Sequence, residues 1–296
     1  MDRLTAAVVE EADRLRDLLH EGYRNSDAID GRHDRERVVA QEGHHPVRAG
    51  YQLLIASTHE ADLRELDIAR MFRQRRVDGM IIVASHLNEN HSQLDPSVPV
   101  VFVNEKPELL PDRPRLGVVA LDDVAGGRTI TQHLIDLGHR RIGYVAVGRA
   151  TLSSLDRQQG YEAALRAAGI EPDHRLIVTP SRWDAAEAGA EGVAMLLPED
   201  PTAIFFYNDL AAIGGIRALL DRGVGVPEQI SVVGFDDLEI AELVTPPLTT
   251  MAQPRLEMGR IATEQLFSMI RGDVDHARAD AACTLQIRRS TAALPR

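Results

Sequence analysis

The feature that most constrains the fold of this 296-residue chain is a recurring unit of strand, polar tip, helix and glycine. Ala203–Tyr207 runs through Asn208-Asp209 into a predicted helix that ends at Gly223, and Ile230–Phe235 leads to Asp236-Asp237. Strands whose following helices pack back on them build a parallel sheet, which binds ligands at the carboxyl ends of its strands. The polar tips are therefore the candidate site.

Composition narrows the class of protein. Hydrophobic residues make up 44% of the chain, so a packed core is expected, and the net charge of −12 gives no support for a long basic nucleic-acid patch. The single cysteine, Cys283, permits no internal disulfide, which fits a reducing cytosol. With no signal-peptide pattern and no run of about 18 apolar residues, we expect a cytoplasmic protein without a membrane span.

The pattern along the chain predicts three regions. Residues 1–49 stand apart, with a predicted helix over Thr5–His20 and a highly charged stretch over Asn25–Pro46. The strand–helix alternation begins at Tyr51 and breaks after Asp237. The other predicted elements are strands at Tyr51–Ala56, Met80–Ala84, Val98–Asn104, Leu116–Leu121, Ile142–Val147, Leu176–Thr179 and Ala282–Ile287, and helices at Ala61–Arg76, Arg157–Ala168 and Pro254–Ile270.

Enzyme signatures are missing from the sequence. There is no G-x-S-x-G, H-E-x-x-H, P-loop, G-x-G-x-x-G or C-x-x-C motif. The adjacent pair His44-His45 has no cysteine or further histidine at ligand spacing, which favours a solvated segment over a metal site. We therefore expect no enzymatic activity, no metal and no cofactor.

The chemistry that is present suits a neutral, hydroxyl-rich ligand. Carboxylates and amides bond adjacent hydroxyls, an arginine presents a planar donor fork, and an aromatic ring stacks on an apolar face. The candidates are Asn104, Arg157, Trp183, Asn208 and Asp236. Simpler roles remain open for four of them: helix capping by Asn208-Asp209, a turn at Asp236-Asp237, a surface salt bridge for Arg157 and core packing for Trp183.

Several motifs together resemble the lactose-repressor/galactose-repressor (LacI/GalR) family of bacterial transcription regulators, from about Gly50 to the C-terminus. They are Gly138-His139-Arg140-Arg141-Ile142, Arg157-Gln158-Gln159-Gly160-Tyr161, Pro201–Phe205, Asn208–Gly214, Val226–Asp237, Thr245–Thr250 and Arg289-Ser290-Thr291. The resemblance implies an α/β, periplasmic-binding-protein-like fold of two doubly wound parallel-sheet subdomains joined by three crossovers. It also implies a homodimer, with a small effector in the cleft between the subdomains.

Carried over by position, the resemblance implies that Asn104, Arg157, Trp183, Asn208 and Asp236 contact the effector. Asn104 stands where sugar-binding members more commonly have aspartate. The expected N-terminal effector subdomain spans 50–121 plus 252–280, and the expected C-terminal one spans 122–251 plus 281–296. Residues 1–49 form a divergent segment in which Gly22-Tyr23-Arg24-Asn25 weakly resembles the end of a helix-turn-helix headpiece, so we expect little operator-specific DNA binding by this chain alone.

These observations favour an allosteric, sugar-sensing transcription regulator that acts by effector-linked hinge closure. Operator DNA is the partner expected of an intact family member. One alternative is a stand-alone sugar-binding protein of the same fold that serves a transporter, against which stands the missing signal peptide. A second is a sugar-processing enzyme, against which stands the lack of a carboxylate pair at a definable spacing.

Overall fold

The computed structural model describes residues 5–10, 37–39, 52–57, 69–83, 94–104, 113–147, 152–182 and 185–294. The chain divides into two compact units and passes between them three times. The first unit comprises Met1–Leu121 and Pro254–Ala281, and the second comprises Asp122–Gln253 and Ala282–Arg296. Among the described helices, none is both long and apolar enough to cross a bilayer.

The strands and helices have the following bounds. The strands are β1 Thr5–Glu10, β2 Arg37–Val39, β3 Gln52–Ser57, β4 Gly79–Val83, β5 Val100–Val103, β6 Leu116–Leu121, β7 Ile142–Val145, β8 Ile177–Val178, β9 Ala203–Phe206, β10 Ser231–Asp236, β11 Thr249–Ala252, β12 His276–Ala281 and β13 Thr284–Gln286. The helices are α1 Asp123–Asp136, α2 Leu152–Ala167, α3 Ala185–Leu196, α4 Asp209–Leu220, α5 Ile240–Leu243 and α6 Arg255–Arg271. Residues 69–74 are also helical.

The first unit contains a seven-stranded sheet in the order β12-β6-β5-β4-β1-β3-β2. Its pairs are parallel except for the antiparallel pair β2–β3. Both faces of β5 are covered: Val100 and Phe102 belong to the cluster that includes Phe72, whereas Val101 and Val103 pack with apolar residues of α6. Helices thus cover both faces of the middle of this sheet.

The start of the chain differs from the prediction. Thr5–Glu10 is not helical but forms β1, which lies between β3 and β4 and is parallel to both. The predicted helix over Thr5–His20 is therefore wrong in its first part, and residues 11–20 lie outside the described residues. A short continuous apolar run such as Ala6–Val9 fits an inner parallel strand as well as a helix, and periodicity alone does not separate the two.

Strand β12 was not predicted, because its sequence has no apolar run. His276–Ala281 pairs with β6 at the edge of the first sheet, in parallel register. Its side chains alternate between exposed and half-buried as far as Asp280, and the sequence His-Ala-Arg-Ala-Asp-Ala contains no large apolar residue. An edge strand with solvent beside it needs no apolar run, so hydrophobic pattern does not reveal it.

The second unit contains a six-stranded sheet in the order β13-β11-β10-β9-β7-β8. All pairs are parallel except β11–β13. From β7 the chain goes outward to β8 and then returns to place β9 on the other side of β7, so the winding direction reverses there. Open α/β sheets bind ligands outside the carboxyl ends of the strands at such a reversal.

Strand β9 packs against helices on both faces of the second sheet. Ile204 and Phe206 pack in the cluster formed with α3 and α4, and Ala203 and Phe205 pack in the cluster formed with α1 and α2. All four side chains are fully buried. A strand buried on both faces reads as a continuous apolar run. The predicted α/β, periplasmic-binding-protein-like fold class is confirmed.

Candidate functional site

Close contact between α1 and α2 positions the buried arginine of the second unit. A Cβ atom added to Gly127 would lie 2.3 Å from the Arg157 carbonyl oxygen, and one added to Gly160 would lie 2.1 Å from the Val124 carbonyl oxygen. Only glycine allows the two backbones to approach so closely. The contact carries the Arg157 side chain to Asp123, the first residue of α1.

Arg157 uses each part of its guanidinium group differently. Nε donates a hydrogen bond of 2.7 Å to Asp123 Oδ1, and Nη1 donates one of 2.6 Å to the Tyr207 carbonyl oxygen, just beyond β9. Nη2 lies 3.4 Å from Asp236 Oδ1 but has no hydrogen-bond partner among the described residues. The Phe235 ring packs against the same group, with its centroid 3.7 Å from Cζ. The side chain is only 1% exposed, so a surface salt bridge is the wrong interpretation of Arg157.

Charge stabilises this buried arginine. Burial opposes the charged form of Arg157, but the nearby Asp123 and Asp236 carboxylates outweigh burial and raise the pKa of the guanidinium. Asp123 is itself 3% exposed. A buried ion pair is costly to break, since removal of one partner leaves an uncompensated charge. Arg157 therefore supports the fold as well as offering a donor.

Asp236 ends β10 in an unusual backbone conformation. Its φ is +112°, and that of the following Asp237 is +55°, so the chain turns sharply at the strand end. Gln253 donates a hydrogen bond of 2.5 Å from Nε2 to Asp236 Oδ1. Arg288 holds Asp237 with a 2.6 Å contact from Nη2 to Oδ1. The two adjacent aspartates thus have different partners.

Asp209 is a second buried carboxyl at the same end of the sheet. It is the first residue of α4, accepts 2.5 Å from the Thr250 hydroxyl and 2.8 Å from the Leu238 amide, and contacts no cation in the described residues. Burial, together with the nearby Asp236, raises the pKa of Asp209 to about 8. Gly234 makes room for it, because a Cβ there would lie 2.4 Å from Asp209 Oδ1.

Asn208 caps α4. Its Oδ1 accepts a hydrogen bond of 2.9 Å from the Ala211 amide, and Asp122 caps α1 in the same way, accepting 2.8 Å from the Ala125 amide. The capping role considered for Asn208 is therefore real. Capping uses the side-chain oxygen of Asn208, and its side-chain nitrogen takes no part in the cap.

The structure brings together part of the predicted site. Arg157 approaches Asp236 and binds the carbonyl oxygen of the residue before Asn208. Asn104 belongs to the first unit, where it follows β5 with φ +62°. Its backbone N–H donates a hydrogen bond to the Val119 carbonyl oxygen. Trp183 lies outside the described residues. As effector contacts, all five residues stay predictions.

Sequence reasoning missed three neighbours of Arg157 and Asp236. Asp123 follows the predicted strand Leu116–Leu121 and was not among the candidate residues, because an acidic residue in the first turn of a helix is ordinary. Phe235 and Gln253 gave no signal, because a ring in an apolar run and an amide after a strand are ordinary. Their roles depend on which strands are neighbours in the sheet, and a single sequence does not show that.

Comparison with known proteins agrees with this architecture. A family model described as periplasmic binding protein-like domain matches residues 131–291. The chain is 36% identical over 219 residues to the HTH-type transcriptional regulator DegA of Bacillus subtilis, covering 71% of this chain and 62% of DegA. It is 34% identical over 258 residues to the HTH-type transcriptional repressor CytR of Escherichia coli, covering 83% of this chain and 72% of CytR.

Solved structures give the same result. The Escherichia coli transcriptional repressor ascG superposes with a TM-score of 0.77 at 27% identity, covering 98% of this chain and 100% of that chain. A complex of the transcriptional regulator CelR with cellobiose superposes with a TM-score of 0.80 at 27% identity, covering 97% of this chain and 84% of that chain.

Fold and sheet topology define a periplasmic-binding-protein-like α/β protein. The chain belongs to the lactose-repressor/galactose-repressor family of transcription regulators, as its motifs indicated. It spans less than two thirds of the length of DegA, at 62%.

Proposed function

We propose that this chain is the effector-sensing part of a transcription regulator, with a sugar or a related small molecule as effector and operator DNA as the partner of the whole regulator. The observation that carries the proposal is the group formed by Arg157 and Asp236 at the carboxyl ends of β9 and β10. It lies near the reversal of the sheet at β7, where α/β sheets bind ligands. The relatives are transcription regulators and not enzymes.

The polar groups at this edge suit a ligand with hydroxyl groups. Within the part of the chain that the structure describes, Arg157 Nη2 is a buried donor without a hydrogen-bond partner, and a carboxylate oxygen of Asp236 lies beside it. A hydroxyl group accepts from one and donates to the other at the same time. Asn104, Trp183 and Asn208 are proposed as further effector contacts on the strength of the family motifs.

We expect Asp236→Ala to weaken effector binding by roughly tenfold to several hundredfold, because hydrogen bonds to a charged acceptor contribute about 1.5–3 kcal/mol each. Calorimetric titration of the parent and the variant with a panel of sugars and nucleosides measures this. Asp122→Asn is the matched control, since asparagine caps a helix as well as aspartate does. Equal affinity of Asp236→Ala and the parent for a ligand that binds would contradict the assignment.

Regulation requires linkage between effector and DNA. We propose an allosteric homodimer in which hinge closure links the two binding events, with a coupling of about 1–3 kcal/mol between effector and operator. Such coupling exists only if the effector has different affinities for the two states. A gel shift of the intact regulator with the promoter region of its own gene, with and without the effector, tests it. A stand-alone sugar-binding protein would bind the effector but give no effector-dependent shift.

A further inference from the structure

Two carboxylates lie close to Arg157 at the edge of the second sheet where β9 and β10 end. Arg157 meets Asp123 at 2.7 Å and Asp236 at 3.4 Å, and its side chain is 1% exposed. Counted over these three side chains, one cation with two carboxylates gives a net charge of −1. Without Asp123, the pair of Arg157 and Asp236 would be neutral.

The other positive groups that the structure describes near this edge are also engaged. Arg288 donates to Asp237 at 2.6 Å and to Glu242 at 3.0 Å. The first turns of α1 and α4, whose positive ends attract anions, already contain acidic residues, with Asp123 in α1 and Asp209 in α4. One backbone amide in the first turn of each helix donates to the capping side chain, Asp122 in α1 and Asn208 in α4. The Leu238 backbone amide donates to Asp209.

A hydroxyl group and an anionic group would interact differently with Arg157 and Asp236. A hydroxyl accepts from Arg157 Nη2 and donates to an Asp236 oxygen, so it satisfies both neighbours. A phosphate or carboxylate oxygen also accepts from Nη2, but it has no proton to donate and lies beside two carboxylates of its own sign. Desolvation strengthens that repulsion, because the arginine is buried.

We propose that Asp123 is a specificity-determining residue that cancels the charge of Arg157, so that this edge binds uncharged hydroxylated ligands and rejects phosphorylated or carboxylated ones. The proposal rests on the proposed function in taking this edge as the effector site. Asp123 acts through Arg157 and is a positioning residue as well, because its carboxylate fixes Nε and thereby the direction of Nη2.

Inorganic phosphate is a suitable probe, because it needs no knowledge of the effector. Thermal unfolding is followed in phosphate and in chloride at matched ionic strength and pH. The variants are Asp123→Asn, Asp123→Asn with Asp236→Asn, and the control Asp122→Asn. Asparagine keeps an oxygen that accepts from Arg157 Nε while removing the charge. Asp122→Asn removes a charge at the adjacent residue without touching Arg157, and asparagine retains the cap.

We expect no saturable stabilisation of the parent or of Asp122→Asn by phosphate. Asp123→Asn should show saturable stabilisation over the phosphate range in which the parent shows none, and the double variant should saturate at lower phosphate concentrations still. Phosphate binding by the parent that disappears in Arg157→Met overturns the proposal. So does a folded Asp123→Asn that responds to phosphate as Asp122→Asn does.

A measurement on the parent chain covers the case in which a variant does not fold. Sugars and their own phosphate esters are titrated in pairs, and each sugar that binds should bind at least tenfold more tightly than its ester. A preference for an ester overturns the proposal. If no sugar or nucleoside binds, the proposed function fails, whereas the phosphate series still decides the role of Asp123.

Discussion

Asp123 and Asp209 occupy equivalent places in the second unit and are stabilised in opposite ways. Each is the first residue of a helix that follows a capping residue, Asp122 or Asn208, and each is at most 3% exposed. Asp123 meets a guanidinium, whereas the described partners of Asp209 are a hydroxyl and a backbone amide. Burial of a carboxyl at a helix start is therefore compatible with either a charged or a neutral form, and the groups that pack against the carboxyl decide between them.

Among the variants that test this comparison, Arg157→Met should lose the most unfolding free energy. It leaves Asp123 buried without its cation, and breaking a buried pair from one side costs about 3–5 kcal/mol of unfolding free energy. Chemical denaturation followed by circular dichroism measures the loss. Adding Asp123→Asn to Arg157→Met should restore part of the stability, since asparagine leaves no stranded charge. A single variant as stable as the parent would show that Asp123 does not depend on Arg157.

Asp209→Asn should change the pH dependence of stability. The folded pKa of about 8 lies above the unfolded value of about 3.9, so the folded state holds the proton more tightly. The resulting stabilisation is complete below about pH 4 and is lost as the pH rises towards 8. Between pH 4 and pH 8 the free energy of unfolding of the parent should fall by on the order of a few kcal/mol relative to that of Asp209→Asn.

Asparagine suits the Asp209 position, because its oxygen accepts from the Leu238 amide and its nitrogen donates to the Thr250 hydroxyl. Denaturation midpoints of parent and variant are compared from pH 4 to pH 8. Asp123→Asn is the contrast, since Asp123 faces a cation and should not show the same trend. Parallel pH profiles for Asp209→Asn and the parent would mean that Asp209 is charged in the folded state.

Asn208→Ala should have the smallest effect. Loss of a helix cap costs about 1 kcal/mol. Asp122→Ala should cost a similar amount, because Asp122 caps α1 through the same contact. Thermal unfolding measures both. If Asn208 also contacts the effector, Asn208→Ala weakens effector binding and Asp122→Ala does not, so a pair of variants equal in both assays would reduce Asn208 to a cap.

The comparison also shows what the sequence can and cannot predict. The strands that precede Asn208 and Asp237 were predictable, because an apolar run followed by polar residues defines each of them locally. The pairing of Arg157 with Asp123 was not, because it depends on the glycine contact between α1 and α2. For the same reason Arg157 was predicted to be an effector contact or part of a surface salt bridge, and its buried role in supporting the fold was not predicted.

Errors in the fold have a similar cause. Thr5–Glu10 is a strand because β3 and β4 lie on either side of it, a fact that no local periodicity contains. His276–Ala281 is a strand because β6 offers it an edge. In both places partners distant in the sequence decide the local structure, and tertiary context overrides propensity.

The last residues of the chain have a consequence for its synthesis. Strand β12 belongs to the first unit, whereas β13 pairs with β11 and the Ser290 hydroxyl donates to the Val232 carbonyl oxygen in the second. Domains often fold on the ribosome in order from the N-terminus. Here neither unit has all its strands until nearly the whole chain has been translated, so a nascent chain that stalls before residue 276 leaves both units unfinished at once.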